Sequence, residues 1–302
     1  MTAQTNSKVL FIINPAAGVK SKVNFQDTIQ KKGTVSSYNY KNYFIKGVGD
    51  IDLIAEEMRV YRPDIVAAVG GDGTCNLVAQ LLIHNVCKMG IIPLGSANGM
   101  ATELAIPKEI DAAIDLLYTG QPKKIDLLLI NGTEIAMHLS DVGLNARIIK
   151  RFSKENKRGL WRYVRHFFTE YFLTKHYQFL IFCDGNKLIK RKAISITFAN
   201  ASKYGTGAII NPKGVIDDGK FELCIIKPFP WYYLVPITLK FFRGNLNNSK
   251  YVEIISCKEA KIICRKSLIL QIDGEIKGRV NEVSVKIIPQ SITVIVPKQA
   301  HL

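Results

Sequence analysis

The stretch that most constrains the fold runs from residue 64 to residue 98. Residues 64–69, D-I-V-A-A-V, predict a buried parallel strand that leads into G-G-D-G-T at residues 70–74, and an apolar helical pattern begins at Leu77. A second strand, predicted at residues 90–93, runs into L-G-S-A-N-G. Glycines permit close approach of the backbone, and a helix N-terminus presents N–H groups with partial positive charge. The spacing therefore predicts two glycine turns that can face one anion.

Chain length, net charge and cysteine content limit the class of protein. A length of 302 residues favours two modest domains, and a net charge of +16 suits an anionic partner such as a nucleic acid, a nucleotide or a membrane surface. No window resembles a membrane span and the N-terminus lacks the apolar region of a signal peptide, so we expect a cytoplasmic protein. Six scattered cysteines without C-x-x-C spacing predict reduced thiols in the core.

The first part of the chain alternates strands and helices. We predict strands at residues 8–13, 38–45 and 64–69 and helices at residues 51–61 and 109–118, with N-P-A-A-G following the first strand. This order predicts an α/β domain built on a doubly wound parallel sheet. Ligands of such sheets bind outside the carboxyl ends of the strands.

From Pro122 onward the pattern is mostly β. Strands are predicted at residues 124–130, 134–139, 178–183, 193–199, 221–226 and 267–272, and two final strands at residues 283–288 and 292–296. Aromatic and basic helical segments interrupt them at residues 158–176 and 231–242. Each segment is interpreted equally well as a core helix with solvated charges or as a membrane-facing helix.

Three acidic motifs could carry chemistry. Asp72 could accept a hydroxyl proton or hold Mg²⁺, or it could cap the helix that follows it. The segment Asp273-Gly274-Glu275 could be an ordinary D-G hairpin turn, and Asp217-Asp218-Gly219 a turn that binds a divalent cation. Taken singly, the last two motifs are weak.

Taken together, the motifs resemble a known family. N-P-x-x-G, G-G-D-G-T, P-L-G-S-x-N, D-G-x-F-E-L and a late D-G-E occur here in the order found in the diacylglycerol kinase-like lipid kinases. That family includes bacterial diacylglycerol kinases, broad-specificity lipid kinases and sphingosine kinases. The resemblance implies a nucleotide-binding α/β domain at residues 1–123, rejoined by residues 289–302, and a β-rich, sandwich-like lipid-substrate domain at residues 124–288.

The resemblance also implies site residues. The catalytic acids would be Asp72, Asp273 and Glu275, with Glu275 or Asp273 taking the proton from a lipid hydroxyl. A structural Mg²⁺ would be held by Asp218 with the carbonyls of Val215 and Lys220. ATP would contact Asn14, Pro15, Ala16, Ala17, Gly18, Gly70, Gly71, Asp72, Gly73, Thr74, Asn76, Ser96 and Asn98.

The implied activity is transfer of the ATP γ-phosphate to the hydroxyl of a diacylglycerol-type or sphingoid-type lipid by a protein that associates transiently with the membrane. The chain departs from the family pattern at Val19, Leu77 and Gly99, where lysine, glutamate and aspartate are usual. These departures motivate an alternative, a catalytically weakened lipid or nucleotide sensor, and G-G-D-G-T alone also allows an NAD kinase. No specific nucleic-acid partner is expected, and the sequence leaves a homodimer open. Substitution of Asp72 or Glu275 is expected to abolish transfer and to leave the thermal melt nearly unchanged.

Overall fold

The chain divides into two compact units. The computed structural model describes residues 7–17, 25, 27–30, 39–152, 160–173, 175–185, 187–203 and 208–298. One unit comprises Met1–Ile125 with Ser291–Leu302, and the other comprises Asp126–Gln290. We call them the parallel unit and the antiparallel unit, after the pairing of their strands.

The parallel unit is built on a five-stranded segment of sheet. Its strands are β1 (Lys8–Ile13), β2 (Asn39–Phe44), β3 (Ile65–Gly70) and β4 (Lys88–Pro93), and the last residues of β14 (Glu275–Val296) pair beside β4. All neighbours are parallel, in the order β14-β4-β3-β1-β2. Every residue of β3 is buried, as expected for a central strand with both faces covered, whereas β2 at the edge is largely exposed.

Besides the helical residues 25 and 27–30, the described part of the parallel unit contains four helices: α1 (Asp50–Tyr61), α2 (Asp72–Leu82), α3 (Gly99–Glu103) and α4 (Ile110–Thr119). Helix α2 begins at Asp72, five residues before the predicted start of the apolar pattern at Leu77. Gly71 is extended at the N-cap, so the helix starts directly after the glycine pair, and its first residues are polar. The apolar pattern therefore marked the buried face of α2 and not its first turn.

Ten strands or parts of strands lie in the described part of the antiparallel unit, including residues 126–130 of β5 and residues 275–290 of β14. They are β5 (Gln121–Ile130), β6 (Glu134–Ala136), β7 (Leu139–Gly143), β8 (Tyr177–Cys183), β9 (Lys187–Ala193), β10 (Ser195–Ala199), β11 (Phe221–Ile226), β12 (Val252–Cys257), β13 (Glu259–Ile272) and β14. The main path is β12-β11-β10-β7-β13-β14, and β8 and β9 extend from β13. Buried side chains of these strands, among them Phe179, Phe198 and Phe221, form one core.

A second core lies between the strands and three helices, α5 (Leu144–Phe152), α6 (Leu160–Leu173) and α7 (Leu234–Arg243). Ile148, Phe167 and Ile237 contribute one buried side chain from each helix. The sequence did not predict α5. The predicted helix at residues 231–242 is a 3₁₀ turn at Trp231–Tyr233 followed by α7.

The prediction of two separate final strands is wrong, because β14 is continuous through Pro289 and Gln290. Gln290 has a positive φ of 47°, and its N–H donates to the Asp126 carboxylate at 2.6 Å. A side chain thus takes the place of the strand partner at this irregular point. Because sequence patterns treat proline as a strand breaker, they miss this continuity.

The fold class is confirmed. All six thiols are free, and five of them are buried. No helix in the described ranges is long and apolar enough to cross a membrane.

Candidate active site

Two glycine turns of the parallel unit meet at the carboxyl ends of β3 and β4. A Cβ atom built on Gly95 would lie 2.5 Å from the Cα of Gly71, so neither residue accepts a side chain without moving the other turn. The N–H of Leu94 also donates to the carbonyl of Gly70 at 2.8 Å. The two turns that the sequence singled out are therefore in direct contact.

Asp72 joins these turns through its side chain. One carboxylate oxygen accepts the N–H of Gly99 at 3.0 Å and the other accepts the N–H of Met100 at 3.1 Å. Both donors lie in the first turn of α3. Asp72 is thus a helix cap, but for α3 and not for its own helix, where no side-chain cap bond is formed.

Two polar atoms in the same turns lack a partner. Thr74 Oγ1 and Asn98 Oδ1 are buried, and neither has a hydrogen-bond partner among the described residues. Asn98 has a left-handed φ of 49° and donates through Nδ2 to the carbonyl of Gly95 at 2.8 Å. Because buried polar groups are normally paired, these atoms suit a site completed by a polar ligand.

The predicted N-P-A-A-G turn follows β1, which neighbours β3 in the sheet. Asn14 Oδ1 accepts the N–H of Ala16 at 2.9 Å, and the N–H of Asn14 donates to Val69 at 3.0 Å. Pro15 and Ala16 are exposed. This turn therefore begins beside the last residues of β3. Gly18 and Val19 lie outside the described residues.

The remaining predicted nucleotide contacts lie on the glycine turns or in α2. Gly73 and Ser96 are exposed, and Asn76 accepts a hydrogen bond from Gln80 Nε2 at 2.6 Å. These residues lie close together because the two turns are in contact.

In the antiparallel unit, Asp273 and Gly274 form the two-residue hairpin between β13 and β14. Their φ angles are 46° and 90°, and Ile272 pairs with Glu275 across the turn. Two positive φ angles are typical of the tight hairpin turn that D-G sequences favour. Gln271 fixes the turn from one side, because its Oε1 accepts the N–H of Gly274 at 2.7 Å.

The two acids of this motif have different surroundings. The Asp273 carboxylate accepts three main-chain N–H groups, from Met137 at 2.8 Å, His138 at 3.0 Å and Leu139 at 3.1 Å. The side chain of Glu275 is 61% exposed and lies 3.6 Å from Lys277 Nζ. Asp273 thus ties the hairpin to the start of β7, whereas Glu275 projects to solvent.

Lys277 is the cation beside Glu275. Although partial burial opposes its charge, ion pairs with Glu134 at 2.9 Å and with Glu275 raise the pKa of Lys277. A permanent positive charge therefore accompanies the exposed carboxylate.

The turn that was predicted to bind a cation offers oxygen donors, but only a few of them. Asp218 Oδ1 accepts the N–H of Lys220 at 3.0 Å, and the Val215 side chain is 48% exposed. Within the described ranges, no group of three or more His, Cys, Asp or Glu side chains is placed to hold a metal ion. One carboxylate and main-chain carbonyls are donors that fit a largely hydrated Mg²⁺.

Asp126 is a structural residue that sequence reasoning missed. It is fully buried on β5, and its carboxylate accepts the N–H of Gly219 at 2.7 Å as well as that of Gln290. It therefore anchors the turn that carries Asp218. A single aspartate inside the apolar run I-D-L-L-L-I was the available signal, since buried charges require dedicated partners.

Comparison with known families agrees with this architecture. A sequence model described as the diacylglycerol kinase catalytic domain matches residues 8–130, and one described as the YegS C-terminal NAD kinase beta sandwich-like domain matches residues 141–296. The matches define the class of the protein: a parallel α/β unit with glycine turns, combined with an NAD kinase-like β-sandwich.

More specifically, the chain belongs to the diacylglycerol kinase-like lipid kinase family, which confirms the resemblance seen in the sequence. Lipid kinase YegS of Escherichia coli strain K12 is 28% identical over 211 residues, covering 68% of this chain and 69% of the relative. A diacylglycerol kinase of Staphylococcus aureus strain bovine RF122 / ET3-1 is 27% identical over 273 residues, covering 89% of this chain and 86% of the relative.

A solved structure shows the same fold. The crystal structure of a diacylglycerol kinase from Bacillus anthracis str. Sterne matches with a TM-score of 0.71 over 96% of this chain and 97% of that one. The sequence identity is 17%, so this likeness concerns the fold alone.

Proposed function

We propose that this protein is an ATP-dependent lipid kinase that transfers the γ-phosphate of ATP to a lipid hydroxyl. The observation that carries the proposal is the contact between the Gly71 and Gly95 turns, beside which the buried atoms Thr74 Oγ1 and Asn98 Oδ1 have no hydrogen-bond partner in the part of the chain that the structure describes. Such turns let a phosphate approach main-chain N–H groups, and unpaired polar atoms give it further contacts.

On this proposal the nucleotide binds at the glycine turns of the parallel unit, with the Asn14 turn beside them. Asp72 acts as a positioning residue, because both of its oxygens already accept N–H groups of α3. Its charge then holds the second turn against the first. This role differs from the proton acceptor or metal ligand that the sequence suggested.

Glu275 is the catalytic residue of the proposal. As the lipid hydroxyl oxygen bonds to the γ-phosphorus and the bond to the β-phosphate oxygen breaks, the hydroxyl proton passes to the Glu275 carboxylate and ADP leaves. Glu275 suits this role because it is exposed, while the rigid hairpin fixes its backbone. Asp273 supports the hairpin, since its oxygens are occupied by three N–H groups.

Mg²⁺ belongs to the proposal through oxygen donors. Asp218 with the carbonyls of Val215 and Lys220 would hold a structural ion, which would fix that turn of the antiparallel unit. The single carboxylate of Asp218 would neutralise only part of the charge of the Mg²⁺ ion.

On this proposal the lipid substrate binds to the antiparallel unit. The substrate is either a diacylglycerol-type or a sphingoid-type lipid. A small apolar cavity lies between α5, α6, α7 and the sheet, with Ile148, Phe167 and Phe241 in its wall, but its volume of about 40 Å³ is too small for a lipid chain. Near it, the 3₁₀ turn and α7 expose Trp231, Tyr232, Val235 and Leu239. Phe172 and Leu173 of α6 are also exposed, and the neighbouring Tyr171 ring stacks on Phe229 at 4.8 Å.

We call Phe172, Leu173, Trp231, Tyr232, Val235 and Leu239 the apolar face. Residues 228–252 contain no Asp or Glu but include Lys240, Arg243 and Lys250. Positive charge beside exposed aromatic and aliphatic side chains suits an anionic bilayer, from which a lipid substrate would be taken.

The test is phosphate transfer from labelled ATP to lipid extracts by wild type and Glu275→Gln. We expect the substitution to lower transfer by about 100-fold or more, with ATP binding and the thermal melt unchanged. Glu282→Gln is the matched control, because Glu282 is also a half-exposed acid of β14 paired with a lysine. Equal transfer by wild type and Glu275→Gln would refute the role of Glu275.

Wild-type behaviour in the same assay decides the class of activity. ATP binding without transfer to any lipid fraction would favour the sensor suggested by Val19, Leu77 and Gly99. Transfer to NAD and not to lipid would make the protein an NAD kinase.

A further inference from the structure

A concave surface of the antiparallel unit is lined by basic side chains that the proposed reaction does not use. The cavity measures about 550 Å³, and its polar wall consists of Arg147, Lys150, Arg151, Glu170, Ser267 and Arg279. We call it the arginine cavity. Among the described residues that line it, four basic groups and one acid carry a formal net charge of +3.

Glu170 orients two of the arginines. Its side chain is 3% exposed, and its carboxylate lies 2.8 Å from Nε of Arg147 and 2.6 Å from Nε of Arg151. A carboxylate this deeply buried is costly unless it is paired, so both guanidinium groups are held in place by it. These contacts are made through Nε, so among the described residues each planar guanidinium group keeps terminal nitrogens that can donate to another acceptor.

Arg279 adds a third guanidinium from β14. Its Nη2 donates to the carbonyl of Ser267 at 2.8 Å, which fixes the side chain without neutralising it. The charge of Glu170 offsets one arginine at most, so the three arginines leave an excess of two positive charges in one concavity. Like charges held together repel, and an anion bound among them would remove that cost.

The remaining wall of the cavity is apolar. Tyr177 and Leu268 are buried beside the basic groups, and Ile269 continues this wall. A site of this size exceeds what a bare phosphate ion needs, since a water molecule occupies only about 30 Å³ of liquid volume. The apolar wall therefore suits an organic group attached to the anion.

We propose that the arginine cavity binds the phosphate group of a phosphorylated organic ligand. Arginine presents parallel N–H donors that match two phosphate oxygens, and three guanidinium groups line this one cavity. The ligand is either a soluble phosphate ester or the phosphodiester headgroup of an anionic phospholipid. The proposal does not rest on kinase activity.

Binding is tested with one probe for each source. Glycerol 3-phosphate, titrated by calorimetry, represents soluble esters, and cosedimentation with phosphatidylcholine vesicles with and without phosphatidylglycerol represents headgroups. The variants are Arg279→Gln, which leaves both Glu170 pairs intact, and the double variant Arg147→Lys with Arg151→Lys, which keeps the charges but loses the planar donors. Lys192→Gln is the control, because it removes one exposed charge of the same unit outside the cavity.

We expect Arg279→Gln and the double variant to bind one of the two probes about tenfold more weakly than wild type, while Lys192→Gln binds it normally. Loss confined to glycerol 3-phosphate assigns a soluble ligand, and loss confined to phosphatidylglycerol vesicles assigns a headgroup. A phosphate bound at the glycine turns of the parallel unit would not respond to these variants. Unchanged binding of both probes, or a loss shared with Lys192→Gln, overturns the proposal.

Discussion

The Asp72 carboxylate accepts the N–H of Gly99 at 3.0 Å, across 27 positions of sequence. This bond, with its neighbour from Met100, makes the acid of G-G-D-G-T the cap of the helix that follows the other glycine turn. Position 99, where the family resemblance leads us to expect aspartate, is a glycine whose N–H is one of the two donors to Asp72. Asp72 thereby links the two turns that the sequence could only place near each other.

Replacing Asp72 should therefore destabilise the protein as well as impair its activity. We expect Asp72→Ala to lower the free energy of unfolding by about 1–2 kcal/mol, because two N–H groups of α3 lose a charged acceptor. Urea denaturation of wild type and variant measures the difference. This result would correct the expectation that the melt stays nearly unchanged, and an identical urea midpoint would show that the cap contributes nothing.

Substitutions of the two acids of the D-G-E hairpin should change the free energy of unfolding by different amounts. Asp273→Ala removes the acceptor of three N–H groups and places alanine at a φ of 46°, so we expect a loss of about 3 kcal/mol in unfolding free energy. Glu275→Ala should change it by less than about 0.5 kcal/mol, since that side chain is exposed.

A third variant identifies the cause of that loss. Asp273→Asn tolerates the left-handed conformation and retains one acceptor oxygen, so it should fall between wild type and Asp273→Ala. If Asp273→Asn and Asp273→Ala are equally unstable, the charge and not the backbone conformation dominates.

The contact between the glycine turns gives a steric prediction. In Gly95→Ala the new Cβ would meet Gly71 Cα at 2.5 Å, which forces the turns apart. We expect about tenfold weaker ATP binding by calorimetry, since the N–H groups of the two turns would no longer converge. Ala97→Ser is the control in the same loop, because Ala97 is exposed, and its ATP binding should match wild type.

The sequence sufficed for features that depend on local pattern. Continuous apolar residues identified β3, and glycine after a strand located both turns, because these signals arise within a few residues. Helix α5 was missed, although its buried Leu144 and Ile148 lie four positions apart, because so short a segment gives only a weak periodic signal.

The hydrogen-bond partners of Asp72 and Asp273 could not be predicted from sequence patterns. The N–H groups that bind Asp273 lie 134–136 positions away, and those that bind Asp72 lie 27 and 28 positions away. Only tertiary structure shows that both oxygens of each acid are occupied. The choice between Asp273 and Glu275 as proton acceptor, which the sequence left open, is now a specific proposal for Glu275.

Acid should weaken the antiparallel unit through Glu253. The hydrogen bonds from Arg191 and the ion pair with Lys227 at 2.8 Å lower the pKa of Glu253 from 4.5 to about 2. Because the folded state holds the carboxylate charged, this stabilisation is present above pH 4.5 and is lost as the pH falls towards about 2. Urea midpoints should therefore differ between wild type and Glu253→Gln at pH 6 and converge near pH 2.

Glu222 should change the stability with pH in the opposite direction to Glu253. Burial raises the pKa of Glu222, so the folded state favours the protonated carboxyl group. The resulting contribution to the free energy of unfolding is present below pH 4.5 and is lost as the pH rises through the folded-state pKa. The difference between wild type and Glu222→Gln should thus move in the opposite direction with pH. Parallel trends for the two variants would contradict the assignment of either carboxylate.

The apolar face gives the last prediction. Trp231 is 69% exposed and Leu239 is 47% exposed, and burying such side chains in a bilayer surface contributes about 25 cal/mol per Å² of apolar area. We expect the double variant Trp231→Ser with Leu239→Ser to bind vesicles containing phosphatidylglycerol about tenfold more weakly, as measured by cosedimentation.

The control is Val86→Ser, which removes a 96% exposed apolar side chain of the parallel unit and should leave vesicle binding unchanged. Phosphate transfer to a short-chain lipid in solution distinguishes docking from catalysis, because that substrate needs no bilayer. The double variant should keep this transfer while losing transfer to lipid in vesicles. Loss of both would place Trp231 or Leu239 in substrate binding, and retention of both would remove the apolar face from membrane docking.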